Sequence, residues 1–192
     1  MIENILYKQV IKKLKKNLDL NKNLNILEIG CGNQIYKKFL FDHNYEGLDL
    51  PFEDNDSPKW RLDSKKPDIE IKLENFEAKK NYDLIFSVGT IFMLDEKDLK
   101  ALIKLILTLK FKNGKAIFFD YNKNTIDRLI KTQNDGFNYN QNNYCEILKK
   151  TFKENFRLLN TEWCSNNIFK KNIKEFLKIN KGHVIEIDFN KN

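Results

Sequence analysis

The chain predicts an α/β protein built on a parallel sheet, and three observations carry that reading. Short apolar segments alternate with amphipathic ones along most of its length, the pattern of strand–helix units. The first apolar segment runs straight into a glycine turn, Ile26-Leu27-Glu28-Ile29-Gly30-Cys31-Gly32. A second, Glu46-Gly47-Leu48-Asp49-Leu50, ends on an acid seventeen residues after Gly32.

Each element follows from its own spacing. Ile2, Ile5, Leu6, Val10, Ile11, Leu14 and Leu18 recur at helical intervals with lysines opposite, which predicts an N-terminal helix within residues 1–20. A basic helix of this kind either lies on a membrane surface or packs on the sheet, and packing is preferred. Strand one is expected near 25–29, a helix near 34–42, and strand two near 45–49. Pro51, Pro58 and Pro67, all the prolines of the chain, make 51–67 a loop. Ile69, Ile71 and Leu73 alternate, so strand three falls within 68–73. Tyr82-Asp83-Leu84-Ile85-Phe86-Ser87 reads as strand four. Leu99, Leu102, Ile103, Ile106 and Leu109 share one face of a helix at 95–109, which Asp95 would cap. Asn113-Gly114 makes a turn into strand five, Ala116–Phe119. A helix near 123–131 and another near 141–152 lead to strand six at 156–163, and His183–Phe189 alternates as the last strand. There is no internal repeat, and the whole of 1–192 reads as one domain.

A glycine turn after strand one, with a carboxylate after strand two, is how a doubly wound sheet holds a nucleoside. Glycines there take positive φ and let the backbone approach the ligand. The dinucleotide fingerprint needs a third glycine where Ile35 stands, which counts against NAD or FAD. The stretch Leu27-Glu28-Ile29-Gly30-Cys31-Gly32 instead resembles motif I of the class I S-adenosylmethionine (SAM)-dependent methyltransferases. The resemblance implies a seven-stranded, mostly parallel Rossmann-like sheet with helices on both faces. It also implies an antiparallel C-terminal strand, strand seven inserting between five and six. It implies SAM as cofactor, with Glu28 near the methionine amino end and Gly30, Cys31 and Gly32 forming the turn. Asp49 would take both ribose hydroxyls, Leu50 would touch the adenine face, Leu73 and Glu74 its edge, and Ser87 would lie beneath the ligand.

Composition narrows the partners. A net charge of +7 suits nucleic acid, an anionic surface or phosphorylated substrates. The lysines are spread along the chain, however, and richness in Lys, Asn and Ile is the mark of AT-rich coding DNA. No stable nucleic-acid complex is therefore expected. Cys31, Cys145 and Cys164 form neither a disulfide framework nor a zinc spacing, which fits a reducing cytoplasm. The N-terminus lacks the apolar run of a signal peptide, and no segment approaches the ~20 apolar residues of a membrane span.

Methyl transfer to a hydroxyl needs alignment and gains from a base. Of the two histidines, His43 precedes strand two at the amino edge and reads as structural. His183 opens an antiparallel strand, so it starts at the carboxyl edge where ligands bind; it is the first candidate base, or else a surface histidine. Asp120 at the end of strand five is the second candidate, or else a turn acid. Tyr121 and Tyr139 are candidate substrate contacts, Tyr139 from an aromatic- and amide-rich rim at 133–144. Residues 165–181, between strands six and seven, read as a lid. The expected reaction is O-methylation of a small polar molecule such as a sugar or nucleotide-linked sugar. The rival readings are an RNA or protein methyltransferase using the basic surface, and a SAM-binding subunit without catalysis.

Overall fold

The computed structural model describes residues 10–16, 23–51, 66–121, 144–162 and 181–190. Seven strands form one sheet: β1 (Asn25–Ile29), β2 (Asn44–Asp49), β3 (Ile69–Glu70), β4 (Leu84–Val88), β5 (Lys115–Tyr121), β6 (Phe156–Glu162) and β7 (Lys181–Asp188). Their order is β3-β2-β1-β4-β5-β7-β6. The first five pair in parallel, and β7 runs antiparallel to both β5 and β6. This is the topology that the resemblance implied, including the insertion of strand seven.

Alternation within the central strands decides which side chain faces which layer. On one face Leu27, Ile29, Ile85, Ala116, Phe118, Ile185 and Ile187 pack beneath α2 (Glu96–Thr108) and α3 (Tyr144–Phe152). On the other, Ile26, Leu84, Phe86, Ile117, Phe119 and Val184 meet Val10, Ile11 and Leu14 of α1, whose described part is residues 10–16. The described part of the N-terminal helix therefore packs on the sheet. Lys13 of α1 reaches Glu186 of β7 at 2.7 Å. No helix among the described residues is long and apolar enough to cross a membrane.

The local signals that set the boundaries are visible. Asp95 caps α2, accepting from the N–H groups of Lys97 and Asp98 at 2.9 and 2.8 Å. Asn113 takes a left-handed conformation (φ 51°) after the last turn beyond α2, and the Gly114 N–H closes on Leu109 O at 2.9 Å. A Cβ on Gly114 would sit 2.9 Å from Asp83 O, so only glycine fits between that turn and β4.

Two expectations need correction. Residues 34–42 do not form a helix; they make turns and a single 3₁₀ turn, Lys37–Phe39. Tyr36 and Leu40 are buried four residues apart and mimic a helical face, but Gln34 sits at φ 50°, which a helix does not admit. Strand three is also shorter than 68–73. It ends at Glu70, because Leu73–Asn75 turn as 3₁₀ to place Leu73 under α2. The expected helix at 123–131 and the segment 165–180 lie outside the described residues.

Candidate cofactor and acceptor site

The carboxyl ends of β1 and β2 are tied together by the glycine turn. The N–H groups of Gly30 and Cys31 both donate to Leu48 O, at 2.8 and 3.2 Å. Gly30 and Gly32 take φ of 67° and 49°, the left-handed region that glycine occupies without strain. A Cβ on Gly30 would come within 2.2 Å of Thr90 Oγ1, so the turn lies directly against the loop that follows β4. The Gly32 N–H donates to Asp49 Oδ2 at 2.7 Å, and the Leu50 N–H to Oδ1 at 2.8 Å. Asp49 is thereby fixed at the end of β2. Leu50 beside it is exposed, an apolar surface at the rim.

Below the turn lies a buried polar group. Glu28 is 2% exposed and accepts from the Tyr45 hydroxyl. Burial pushes its carboxyl well above the usual range; the Tyr45 bond lowers it, and the nearby Asp49 raises it further. Burial likewise raises Tyr45 and Cys31, and the Glu28 charge adds to both. Gly47 makes this cluster possible: a Cβ there would lie 2.7 Å from Cys31 Sγ and 3.1 Å from the Tyr45 hydroxyl. Its N–H donates to Asp68 Oδ2 at 2.9 Å, and Lys37 holds Oδ1 of the same carboxylate at 2.5 Å. Gly47 and Tyr45 are members of the site that sequence reasoning missed. The signal was present in the glycine inside strand two, which marks a close approach.

Further along the edge, Ser87 at the end of β4 is completely buried, and its Oγ has no hydrogen-bond partner among the described residues. An orphaned buried hydroxyl is costly. Asp120 and His183 are register partners across β5 and β7. Asp120 is fully buried and accepts from the N–H groups of Phe92 and Tyr121, at 2.9 and 2.8 Å, while the Tyr144 hydroxyl donates to Tyr121 O at 3.2 Å. Burial still pushes its carboxyl up to about 8. His183 is 8% exposed; its Nε2 lies 2.9 Å from the Tyr144 hydroxyl and 3.3 Å from Cys145 Sγ, and burial lowers its pKa. Tyr121 packs edge-on to Phe92, and its ring lies 3.6 Å from where a Gly89 Cβ would stand.

Among the residues expected from sequence, Glu28, Gly30, Cys31, Gly32, Asp49 and Leu50 converge at the ends of β1 and β2. Asp120, Tyr121 and His183 form a second group at the ends of β5 and β7. Leu73 and Glu74 follow β3, in the 3₁₀ turn Leu73–Asn75. The Leu73 side chain is in the core under α2. Glu74 donates its N–H to Asp98 and pairs with Lys72. Tyr139 lies outside the described residues. His43 accepts from the Leu24 N–H at 3.4 Å at the amino edge, the structural position expected of it.

No protein-family model matches the chain. Over 177 residues, 85% of its length, it is 29% identical to malonyl-[acyl-carrier protein] O-methyltransferase 2 of Ilyobacter polytropus, and it spans 66% of the length of that relative. Among solved structures, it superposes on a SAM-dependent methyltransferase from Archaeoglobus fulgidus with a TM-score of 0.61 at 15% identity, covering 95% of this chain and 94% of that one. The plantazolicin methyltransferase BpumL, solved with S-adenosylhomocysteine (SAH), gives a TM-score of 0.58 at 18% identity over 97% of this chain and 84% of its own. The glycine turn, the acid ending β2 and the place of β7 agree with these likenesses, and the chain has the class I, Rossmann-like fold of the SAM-dependent methyltransferases on which it superposes.

Proposed function

We propose that this protein transfers the methyl group of SAM to an oxygen of a small polar acceptor bound at the carboxyl edge of the sheet. The observation that carries the reading is the cradle of Gly30, Gly32 and Asp49, a close backbone approach with a carboxylate beside it. The residues present fit the cofactor. Asp49 sets a carboxylate at the end of β2 where a ribose diol would lie, Leu50 offers an apolar contact, and the buried Ser87 hydroxyl, without a partner among the described residues, has a donor and acceptor to spare. The short 3₁₀ turn after the glycines, in place of a long helix, provides little dipole for a pyrophosphate. When bound, SAM supplies a methyl group on a sulfonium, open to in-line attack.

For the acceptor, a carboxylate on a small acyl compound is the reading we favour over a sugar hydroxyl. A carboxylate needs no base. The described candidates for one are both committed: Asp120 to two N–H groups, His183 to Tyr144 and Cys145. The name of the Ilyobacter relative points the same way, toward a malonyl carboxyl group. On this reading Asp120 and His183 shape the acceptor wall and catalysis rests on alignment. The sugar hydroxyl is the second reading, supported by the position of His183 at the carboxyl edge.

Labelled SAM, offered with small carboxylic acids and acyl thioesters on one side and with sugars and nucleotide-sugars on the other, tests this. A carboxylate acceptor predicts a methyl ester and, at saturating SAM, a kcat flat between about pH 6 and 8, with His183→Gln changing kcat by less than about tenfold. A hydroxyl acceptor predicts a base-dependent limb near an imidazole pKa and a loss of roughly 10²–10⁴ in that variant. Methylation of RNA or protein alone would favour the basic-surface alternative. Binding of SAM without turnover on any acceptor would make the chain a non-catalytic subunit.

A further inference from the structure

Glu28 occupies an unusual position for a carboxylate. It is almost fully sealed, between the Tyr45 ring of β2, the Cys31 side chain of the turn and the Phe86 side of β4. Its described hydrogen bond comes from a neutral hydroxyl, and none of the described salt bridges includes it. Among the described residues, the titratable or charged groups facing the cluster are Tyr45, Cys31, Asp49 and Asp68, with Lys37 as the cation. Lys37 is committed to Asp68 at 2.5 Å and stands 5.6 Å from the centre of the Tyr45 ring. The described surroundings of Glu28 thus hold two more carboxylates and one cation that is already paired. A buried carboxylate in such surroundings takes up a proton unless a positive charge arrives.

Building on the cofactor reading above, we propose that Glu28 is a neutral acid in the free protein and ionises when the positively charged cofactor docks, so that capture of SAM expels a proton. The balance is simple. The O–H bond of the Glu28 carboxyl breaks, its electron pair stays on the carboxylate, and the proton passes to solvent. The cofactor's cationic charge replaces it. SAM carries one positive charge more than SAH, so the device favours the substrate form of the cofactor over the spent form. Tyr45 is a positioning residue in this scheme, because its hydroxyl steadies the carboxylate that forms.

The test is calorimetry of SAM and SAH binding to the full chain between pH 5.5 and 7.5, in two buffers of different ionisation enthalpy. The expected result is release approaching one proton per SAM bound, with less for SAH. SAM affinity should rise with pH by up to about tenfold per unit, the slope that linkage sets for one proton. Glu28→Gln should abolish both the release and the slope. Tyr45→Phe keeps the acid but removes the donor, and should shift the midpoint of the slope to higher pH. This second variant keeps the test informative if Glu28→Gln folds poorly. SAM binding with no buffer-dependent enthalpy, or release that persists in Glu28→Gln, would overturn the inference while leaving the cofactor reading intact. Failure of both SAM and SAH to bind would overturn both.

Discussion

Asp49 does two jobs with one carboxylate, and its variants should separate them. It accepts from Gly32 and Leu50, which closes the glycine turn, and on the proposed function it also meets the cofactor's ribose. Asp49→Ala should therefore cost about 1–3 kcal/mol of stability as well as at least roughly tenfold in SAH affinity, because charged hydrogen bonds are lost on both sides. Denaturant unfolding and calorimetry on the same sample read the two losses. Gly30→Ala is the steric counterpart. The added methyl would strike Thr90 and the residue would be strained at φ 67°, a penalty of about 1–3 kcal/mol with loss of SAH binding. Asp120 carries a pH signature. Its folded carboxyl is raised from 3.8 to about 8, so between those values the folded state binds a proton that the unfolded chain has released. Stability from this group is then full at low pH and declines as pH rises toward 8, by at most about 1.4 kcal/mol per unit. Asp120→Asn should flatten that decline in melts taken from pH 4.5 to 8, and a slope unchanged in the variant would remove Asp120 as its source.

At the scale of elements, α2 shows how a local signal sets a boundary. Asp95→Ala should destabilise by about 1 kcal/mol through loss of the cap alone. Leu102→Ala, on the fully buried face of the same helix, should cost about 2–5 kcal/mol by leaving a cavity. Both costs are read from chemical unfolding midpoints. These features were legible in the sequence because caps, helical spacing and strand alternation are local. The turn at 34–42 was not, because its buried Tyr36 and Leu40 carry a helix-like interval while the departure lies in one backbone angle at Gln34. The Glu28–Tyr45 bond was not legible either. It depends on the β1–β2 register, which sets Glu28 opposite Gly47 and so brings a side chain from two residues earlier within reach. Half of the site is of the local kind: Gly30, Gly32 and Asp49 announced themselves by spacing. The other half, Asp120 with Tyr144 and His183, exists only because β7 slots beside β5.

For the molecule as a whole, ligand linkage is the direct check. SAH should raise the melting temperature, because it binds the native state alone, and NAD should leave it unchanged. A shift with NAD and none with SAH would reverse the cofactor assignment. The insertion of β7 has a consequence for how the chain is born. β5 and β6 are neighbours only through β7, whose residues are the last of the sheet to be synthesised. Until they leave the ribosome, the edge of β5, with its run Ile117-Phe118-Phe119, is an open template for any passing strand. The nascent protein therefore depends on what shields that edge during translation. A chain stalled before residue 181 should be recovered bound to chaperones or in aggregates, whereas a chain released with Lys181–Asp188 closes its own sheet.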